Sequence, residues 1–144
     1  MSDNCKTFSI DKYIFTFGPI IVSGWAPGTF VSIKYDSPHY VETEGTDGEV
    51  CRVLRKKFKA TITFSLMQSS KINELLSAAL IADIGGASIP LPFITKDLNG
   101  NTVGIATQCW IPQLPDTAFA DESVPREWTI KAAKLDLLVG GNFT

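Results

Sequence analysis

The residues able to support acid–base or metal chemistry are few in this sequence and lie far apart. His39 is the single histidine, and no Gly-x-Ser-x-Gly segment offers a serine for it to activate. Cys5, Cys51 and Cys109 form no Cys-x-x-Cys pair, so the ligand spacing of a zinc site is missing and free thiols in a reducing compartment are expected. The sequence therefore predicts a protein that is not an enzyme, with no catalytic residue, no metal site and no cofactor.

A second candidate for metal binding is the segment that starts at Asp97. Asp97, Asn99 and Asn101 alternate like the first ligands of a calcium loop, but the glycine, Gly100, is at position four and Gln108 occupies position twelve. A calcium loop needs glycine at position six and glutamate at position twelve. Asn-Gly is typical of a tight β-hairpin turn, which is the structure we predict here.

One charge cluster stands out. It can be interpreted as a nucleic-acid contact, as a solvated strand face, or as opposite patches at the two ends of one projecting arm. Identical subunits stacked head to tail could use such patches to set their register, and we adopt this as the hypothesis. The acidic side is Asp36, Glu42, Glu44, Asp47 and Glu49, and the basic side is Arg52, Arg55, Lys56 and Lys57, continued by Lys59.

Three tryptophans could form a stacking platform for a ligand, but burial in the core is the usual fate of an aromatic residue in a strand. Trp128 lies on the apolar phase of its segment, which predicts a core position. Trp110 lies on the opposite phase from Val103 and Ile105. Because aromatic residues are enriched at interfaces, Trp25 and Trp110 are predicted subunit-interface residues.

Composition narrows the class of protein. A length of 144 residues suits one domain, and 13 basic against 15 acidic residues argue against a dedicated nucleic-acid binder. Met1 to Lys6 is polar and is followed by no apolar run, which predicts that there is no signal peptide. Tyr13 to Ile33 is uncharged, but glycines and prolines interrupt it, so we predict strands around a turn and no membrane span.

The elements that must position these residues are mostly strands. Apolar–polar alternation from Phe58 to Leu66 predicts a strand with one buried face, and an extended Cys51 to Leu66 would span about 50 Å. That length exceeds a typical strand, so its first half is predicted to project as a hairpin arm at about 36–57. Asp36 to Gly48 is expected to be a long exposed loop. Tyr13–Phe17, Ile20–Val22, Phe30–Tyr35, Pro90–Thr95 and Val103–Ile111 are further predicted strands, with prolines placing Pro90–Thr95 at an edge.

A single helical stripe interrupts the strands. Ile72, Leu75, Leu76, Ala79 and Leu80 predict one helix over about 70–83, with Ser69 or Ser70 as its N-cap and an end at Gly85-Gly86. In the last strand, the apolar phase changes near Ala132-Ala133, which predicts a β-bulge. About seven strands and one flanking helix predict a mainly β fold, an antiparallel β-sandwich or partly open barrel.

The order and spacing of several short motifs resemble the tail tube proteins of tailed bacteriophages over roughly Ile20 to Asn142. The motifs are Gly45-Thr46-Asp47-Gly48-Glu49-Val50, Thr61 to Leu66, Ser69-Ser70-x-x-Asn73, Pro90 to Asp97 with Asn99-Gly100, Trp110-Ile111-Pro112 with Pro115, Arg126-Glu127-Trp128, and Gly140-Gly141-Asn142. The resemblance implies a single tail-tube-like domain over 1–144 that assembles into homohexameric rings. Stacked rings would form a tube in the virion, assembled in the bacterial host cytoplasm, through which the genome is ejected.

The resemblance also implies partners and places for the elements. A tape-measure protein would fill the tube, and baseplate or terminator proteins would bind its ends. Similarity to contractile tails adds a sheath. The loop Asp36 to Val50 would carry ring-to-ring contacts, and the helix would lie outside. The channel wall should be neutral or acidic so that DNA passes without specific binding. Lys57, Lys59, Lys131 and Lys134 would oppose this unless they face outward or adjacent acids neutralise them.

Two alternatives remain open at this point. The first is a tube protein of a type VI secretion system or another contractile injection machine, which shares the fold and the ring assembly. Gene context would separate it from a phage protein. The second is a monomeric β-sandwich module that binds carbohydrate or peptide, which a stable monomer with a ligand-dependent melting shift would favour.

Overall fold

The computed structural model describes residues 10–87 and 90–141, so Met1 to Lys6, Cys5 and Asn142, on which sequence predictions were made, lie outside the described residues. Within them the fold is mainly β, with antiparallel sheets, one α-helix and no closed barrel, as the sequence predicts. The strands are β1 (Tyr13–Phe17), β2 (Ile20–Ile21), β3 (Val31–Tyr35), β4 (Tyr40–Glu44), β5 (Val50–Leu54), β6 (Ala60–Leu66), β7 (Leu91–Asp97), β8 (Val103–Trp110), β9 (Arg126–Ala132) and β10 (Leu135–Leu138), and the helix α1 is Ile72–Ala82.

Eight of the strands form one continuous antiparallel sheet that folds over on itself. Its order is β2-β1-β7-β8-β9-β6-β3, with β10 paired to the other half of β8. The centre of the core lies where β6 and β9 pair, because every second residue of both strands is buried. Phe64 lies opposite Trp128 and Ile62 opposite Ile130, and each of the four is at most 1% exposed. The predicted core position of Trp128 is confirmed.

The sheet turns over at a corner that the sequence predicted differently. Ala106 pairs with Leu135 and Cys109 with Ala132, so two residues separate these pairs on each strand and none is inserted. The predicted β-bulge at Ala132-Ala133 is therefore wrong: β8 and the β9–β10 chain change their buried phase together. The same change leaves Ile105 exposed.

Helix α1 packs over the interior, with Leu76 and Leu80 buried in the core. The predicted helix is confirmed, but its N-cap position is Lys71 instead of Ser69 or Ser70. The Ser70 hydroxyl still accepts a hydrogen bond from the Ile72 backbone N–H at 3.3 Å. One turn of wider helix, Asp83–Ala87, follows α1 and contains Gly86 in the left-handed region, with φ +110°.

The prolines of β7 do not mark an edge. β7 lies between β1 and β8, so the predicted edge position of Pro90–Thr95 is wrong. The sheet tolerates Pro92 because the β7–β8 register shifts between Leu91 and Phe93, where a backbone N–H is not required. The turn that follows is confirmed: the Gly100 N–H donates to the Asp97 carbonyl at 3.1 Å, and β8 begins at Val103, where the return strand is predicted.

The segment before β6 also departs from the prediction. Asp36 to Gly48 is not one long loop, because β4 lies within it, and Cys51 to Leu66 is not one strand, because residues 55–59 separate β5 from β6. Strand β4 has only five residues, and the prolines and glycines around it led to the prediction of a loop.

Candidate functional site: the arm and the two sheet faces

The most conspicuous feature outside the main sheet is a hairpin made of β4 and β5, which we call the arm. Among the described strands, these two pair only with each other, from Tyr40 opposite Leu54 to Glu44 opposite Val50. Every side chain of β5 is exposed. Five residues in a strand extend about 17 Å. A lone two-stranded hairpin is marginally stable in water, so the arm draws little stability from its own contacts.

The tip of the arm is acidic and locally well defined. The Gly45 N–H donates to the Glu49 carbonyl at 2.7 Å, and the Glu49 N–H donates to Asp47 Oδ1 at 3.2 Å. Gly48 has φ +86°, a conformation that favours glycine. This turn holds three exposed carboxylates, those of Glu44, Asp47 and Glu49, at the far end of the hairpin.

The root of the arm is basic and aromatic. The Arg55 N–H donates to the His39 carbonyl at 2.7 Å, where the hairpin ladder ends. The His39 ring packs against the rings of Tyr35 and Phe58, at centroid distances of 4.6 and 5.1 Å. The exposed residues Arg55, Lys56 and Lys57 lie next to this aromatic group.

The two faces of the arm differ in charge. Glu42 lies opposite Arg52 in the middle of one face, and the Arg52 guanidinium lies over the Tyr40 ring at 4.7 Å. The opposite face has no charged residue. Its members are Val41, Thr43, Cys51 and Val53.

Asp36, a member of the predicted stacking set, lies away from both the tip and the root of the arm. It accepts a hydrogen bond from the Thr61 hydroxyl at 2.6 Å, and its other carboxylate oxygen is 3.8 Å from Lys131 Nζ. Lys131 in turn donates to the Thr61 hydroxyl at 2.6 Å. The structure thus brings Asp36 to a strand lysine, and separates it from the acidic tip.

The outward surface of β3, β6 and β9 is rich in hydroxyl groups, and we call it the hydroxyl face. Cross-strand rows run through Lys34, Thr61 and Lys131 and through Ser32, Thr63 and Thr129. With Asp36 at its border, the face carries two basic and two acidic groups. Its members are Ser32, Lys34, Thr61, Thr63, Ser65, Glu127, Thr129 and Lys131.

The outward surface of β1, β7, β8 and β10 is mainly aliphatic, and we call it the apolar face. Ile94 lies opposite Ile105, and Val103 opposite Leu138. Ile94, Ile105 and Leu138 are 43%, 46% and 59% exposed. The members of the face are Ile14, Thr16, Ile94, Lys96, Val103, Ile105, Asp136 and Leu138.

The outer side of helix α1 is also apolar. Glu74 is the only charged residue between Ile72 and Ala82. Leu75, Ile81 and, in the following turn, Ile84 are 49%, 64% and 76% exposed. A helix that is apolar on nearly every side is normally buried, so this side is a further candidate contact surface.

The two tryptophans predicted at interfaces are half-buried. Trp25 packs edge-on against Phe15 at 5.4 Å and beside Phe30 at 5.1 Å. Trp110 lines a small crevice against Ala79 and Leu80 of helix α1. Their interface role stays a prediction.

Two polar residues that sequence reasoning left without a role anchor irregular segments to the core. Asn73 accepts a hydrogen bond from Trp128 Nε1 at 2.9 Å and donates to the carbonyls of Met67 and Ser70, each at 3.1 Å. Arg126, 6% exposed, donates to the carbonyls of Ala118 and Val124. Both residues lie in motifs that carry the tail-tube resemblance, but their spacing alone does not reveal these contacts.

Two kinds of feature are missing from the described residues, a cluster of metal-ligand side chains and a membrane-spanning helix. In residues 10–87 and 90–141, no three His, Cys, Asp or Glu side chains come together as a metal site. In the same ranges, no helix is long and apolar enough to cross a bilayer. Burial raises the pKa of the Cys109 thiol to about 11, which keeps it protonated at neutral pH.

The fold is similar to those in solved structures of contractile injection systems. A sheath/tube terminator of an extracellular contractile injection system, PVC, superposes with a TM-score of 0.61 at 11% identity, over 95% of this chain and all of that one. A chain of the PVC sheath–tube complex superposes with a TM-score of 0.55 at 15% identity, over 92% of this chain and 91% of that one. In sequence, the chain is similar to structural protein ORF10 of Pseudomonas phage KPP10, with 25% identity over 123 residues, 84% of this chain and 71% of the relative. No family model matches.

Proposed function

We propose that this chain is a structural protein of a contractile phage tail that forms homohexameric rings, and that the rings stack into the tail tube through which the genome is ejected. The arm is the observation that carries the proposal. It leaves the body as a two-stranded sheet with an acidic tip and a basic root, and a hairpin of this kind gains its stability from a partner. The acidic tip of one ring meets the basic root of the next.

The hydroxyl face suits the wall of the channel. A polyanion is held by basic groups that release its counterions, so a conduit needs a surface without excess positive charge. Lys131 is neutralised by Asp36, and Glu127 offsets Lys34 on the same face. Genomic DNA therefore slides past without specific binding. Of the other lysines considered from sequence, Lys57 lies at the root of the arm, Lys59 directly precedes β6, and Lys134 lies near the Phe58 ring.

A second candidate is a terminator that caps the tube, which the superposition on the PVC terminator favours. A terminator stacks through one end only, whereas a tube protein stacks through both and elongates. The two assignments share ring formation and the wall, and differ in whether purified rings grow into long tubes. In either position, the proposed partners are the sheath, the tape-measure protein and the baseplate or terminator proteins of a virion assembled in the host cytoplasm.

The experiment that tests the stacking contact is a charge swap read by negative-stain electron microscopy and light-scattering chromatography. Glu44→Lys, Asp47→Lys and Glu49→Lys together should leave single rings and abolish stacks at physiological salt. Adding Arg55→Glu, Lys56→Glu and Lys57→Glu in the same chain should restore stacking, because the complementarity returns with reversed sign.

The matched control reverses three exposed acids elsewhere, with Asp116→Lys, Asp121→Lys and Glu122→Lys in the loop before β9. This control should stack like the wild type. Stacks that survive the tip reversal would refute the role of the arm. A wild-type protein that stays monomeric at every concentration and melts higher with a carbohydrate or peptide would favour the binding-module alternative, and a secretion gene cluster around the gene would favour the injection-machine alternative.

A further inference from the structure

Two exposed apolar surfaces on this chain are not used by the proposed arm contact. One is the apolar face of β1, β7, β8 and β10, and the other is the outer side of helix α1. Single exposed aliphatic residues are ordinary, but contiguous apolar patches of more than a few hundred Å² are rare on monomers and mark interaction sites. The direct pairing of Ile94 with Ile105 and of Val103 with Leu138 makes the sheet patch contiguous.

The charges of the apolar face indicate what kind of partner covers it. Lys96 and Asp136 are its two charged members, so its formal charge is zero. A nucleic acid or an anionic lipid surface would need a basic excess. The hydroxyl face of the same sheet differs in this respect. Strands β3, β6 and β9 present Ser and Thr outward, whereas β1, β7, β8 and β10 present mainly Ile, Val and Leu. The covering partner is therefore a protein with an apolar and nearly uncharged surface.

The chain itself presents such a surface. Leu75, Ala78, Ile81 and Ala82 follow one another around the exposed arc of α1, with Glu74 alone charged among the helix residues. Helices commonly pack on the faces of sheets with this composition. Within one molecule, α1 already covers the interior through Leu76 and Leu80, so its outer side and the apolar face of the same chain cannot meet.

We propose that the apolar face of one copy is covered by the outer side of helix α1 of a second copy, and that this is the lateral contact within the ring. The inference rests on the proposed ring assembly and deepens it. Because the two surfaces are different, the contact is head-to-tail, and repeated contacts of that kind close into a ring when the rotation permits. The arm then acts between rings, and the helix and apolar face act within one.

The test uses one variant on each surface. Ile105→Lys blocks the apolar face, and Ile81→Lys blocks the helix. Each variant alone should be monomeric by light scattering, at concentrations where the wild type forms rings. Mixed together, they should give a discrete one-to-one heterodimer, since the intact helix of Ile105→Lys can still bind the intact face of Ile81→Lys, and the blocked surfaces stop further growth.

Matched variants control for folding and for simple charge effects. Ser123→Lys places the same lysine in the exposed loop before β9 and should form rings normally. Ile105→Thr keeps the β-branched shape without the charge and should weaken assembly at least tenfold, with an unchanged melting temperature of the monomer. Rings formed by Ile105→Lys would overturn this inference and leave the arm proposal standing. Self-association of Ile81→Lys alone would also overturn it, in favour of a symmetric contact, and a monomeric wild type would overturn both proposals.

Discussion

The body and the arm are built from the same kind of hairpin pairing, yet they differ in what holds them. In the body, β6 lies between β3 and β9, and four of its seven residues are buried against the core. In the arm, β5 has one neighbour, and all five of its residues are exposed. The body is stabilised within one chain, whereas the arm has few contacts with the rest of the described chain to stabilise it. Substitutions in the two regions should therefore divide into those that change folding and those that change assembly.

The largest effect on folding is expected from the centre of the body. Phe64→Ala removes a ring that packs 4.9 Å from Phe15 and lies opposite Trp128. It should lower the free energy of unfolding by about 3–5 kcal/mol, the usual loss for a truncated core aromatic residue. Urea denaturation of the monomer, followed by tryptophan fluorescence, measures this change. A loss below about 1 kcal/mol would mean that the core is not centred on β6 and β9.

A smaller loss is expected where the helix is tied to the core. Asn73→Ala removes the acceptor of Trp128 Nε1 and leaves a buried N–H without a partner. Unfolding should become easier by about 1–3 kcal/mol. A double-mutant cycle with Trp128→Phe isolates the bond, because Asn73→Ala should cost less when the indole N–H is already gone. Equal losses in both backgrounds would assign the effect to the helix start alone.

The contact between the two halves of the sheet, which we call the seam, should contribute less to the free energy of unfolding than the Asn73 bond. The Tyr35 hydroxyl donates to the Leu135 carbonyl at 2.6 Å and accepts from the Leu137 N–H at 3.1 Å, so it joins β3 to β10. Tyr35→Phe should lower the free energy of unfolding by about 0.5–1.5 kcal/mol, the net value of such bonds. Hydrogen exchange should accelerate at Leu137 more than at Ile62, which lies in the β6 ladder. Uniform acceleration would argue against a local role for the hydroxyl.

The arm should show almost no effect on the folding of the monomer. Val53→Ser, on the uncharged face of the arm, should change the free energy of unfolding by no more than about 0.5 kcal/mol, as exposed substitutions usually do. The matched body variant Val22→Ser, at a site 5% exposed, should lower it several times as much. In ring stacking the order should reverse, with Val53→Ser the weaker assembler. If both variants lowered the free energy of unfolding by similar amounts, the arm would contribute to folding as the body does, contrary to this prediction.

The smallest perturbation is chemical labelling of the two cysteines, because the arm and the body each contain one and neither region has to be mutated. In a Cys5→Ser background, exposed Cys51 in the arm should react with a thiol reagent at once, and buried Cys109 in the body only on unfolding.

Burial raises the pKa of Cys109 to about 11 from 9.0. The unfolded thiol ionises first as pH rises, so the contribution of Cys109 to stability is complete below pH 9 and declines towards pH 11. Rapid reaction of both thiols in the native monomer would contradict the burial.

The parts of the fold that the sequence predicts are those where burial and local periodicity agree. The alternation from Ala60 to Leu66 identifies β6 because one face is fully buried, and the apolar spacing identifies α1. The arm strand β4 could not be found in this way, because an exposed strand has no buried face to impose a pattern. The corner between β9 and β10 was misread as a bulge, since one sequence shows a phase change without showing that β8 changes with it.

For the candidate surfaces too, local patterns could be predicted from the sequence and contacts between distant strands could not. Charge at the arm is visible in the order of residues, so the acidic tip and basic root could be proposed from sequence. The pairing of Lys131 with Asp36, and the contrast between the hydroxyl and apolar faces, depend on which strands become neighbours. Those neighbours are far apart along the chain, and no local pattern specifies them.

The Tyr35 seam has a mechanical consequence. The arm joins the body at the ends of β3 and β6. If the rings stack through the arm as proposed, a load along the stack would reach each subunit there. β6 pairs with a strand on each side, whereas β3 pairs with a strand on one side only. Within residues 10–87 and 90–141, the Tyr35 hydroxyl links the other side of β3 to β10. Under load, the edge of β3 is therefore where the subunit would begin to tear, and the Tyr35 hydroxyl sets how much force that edge withstands.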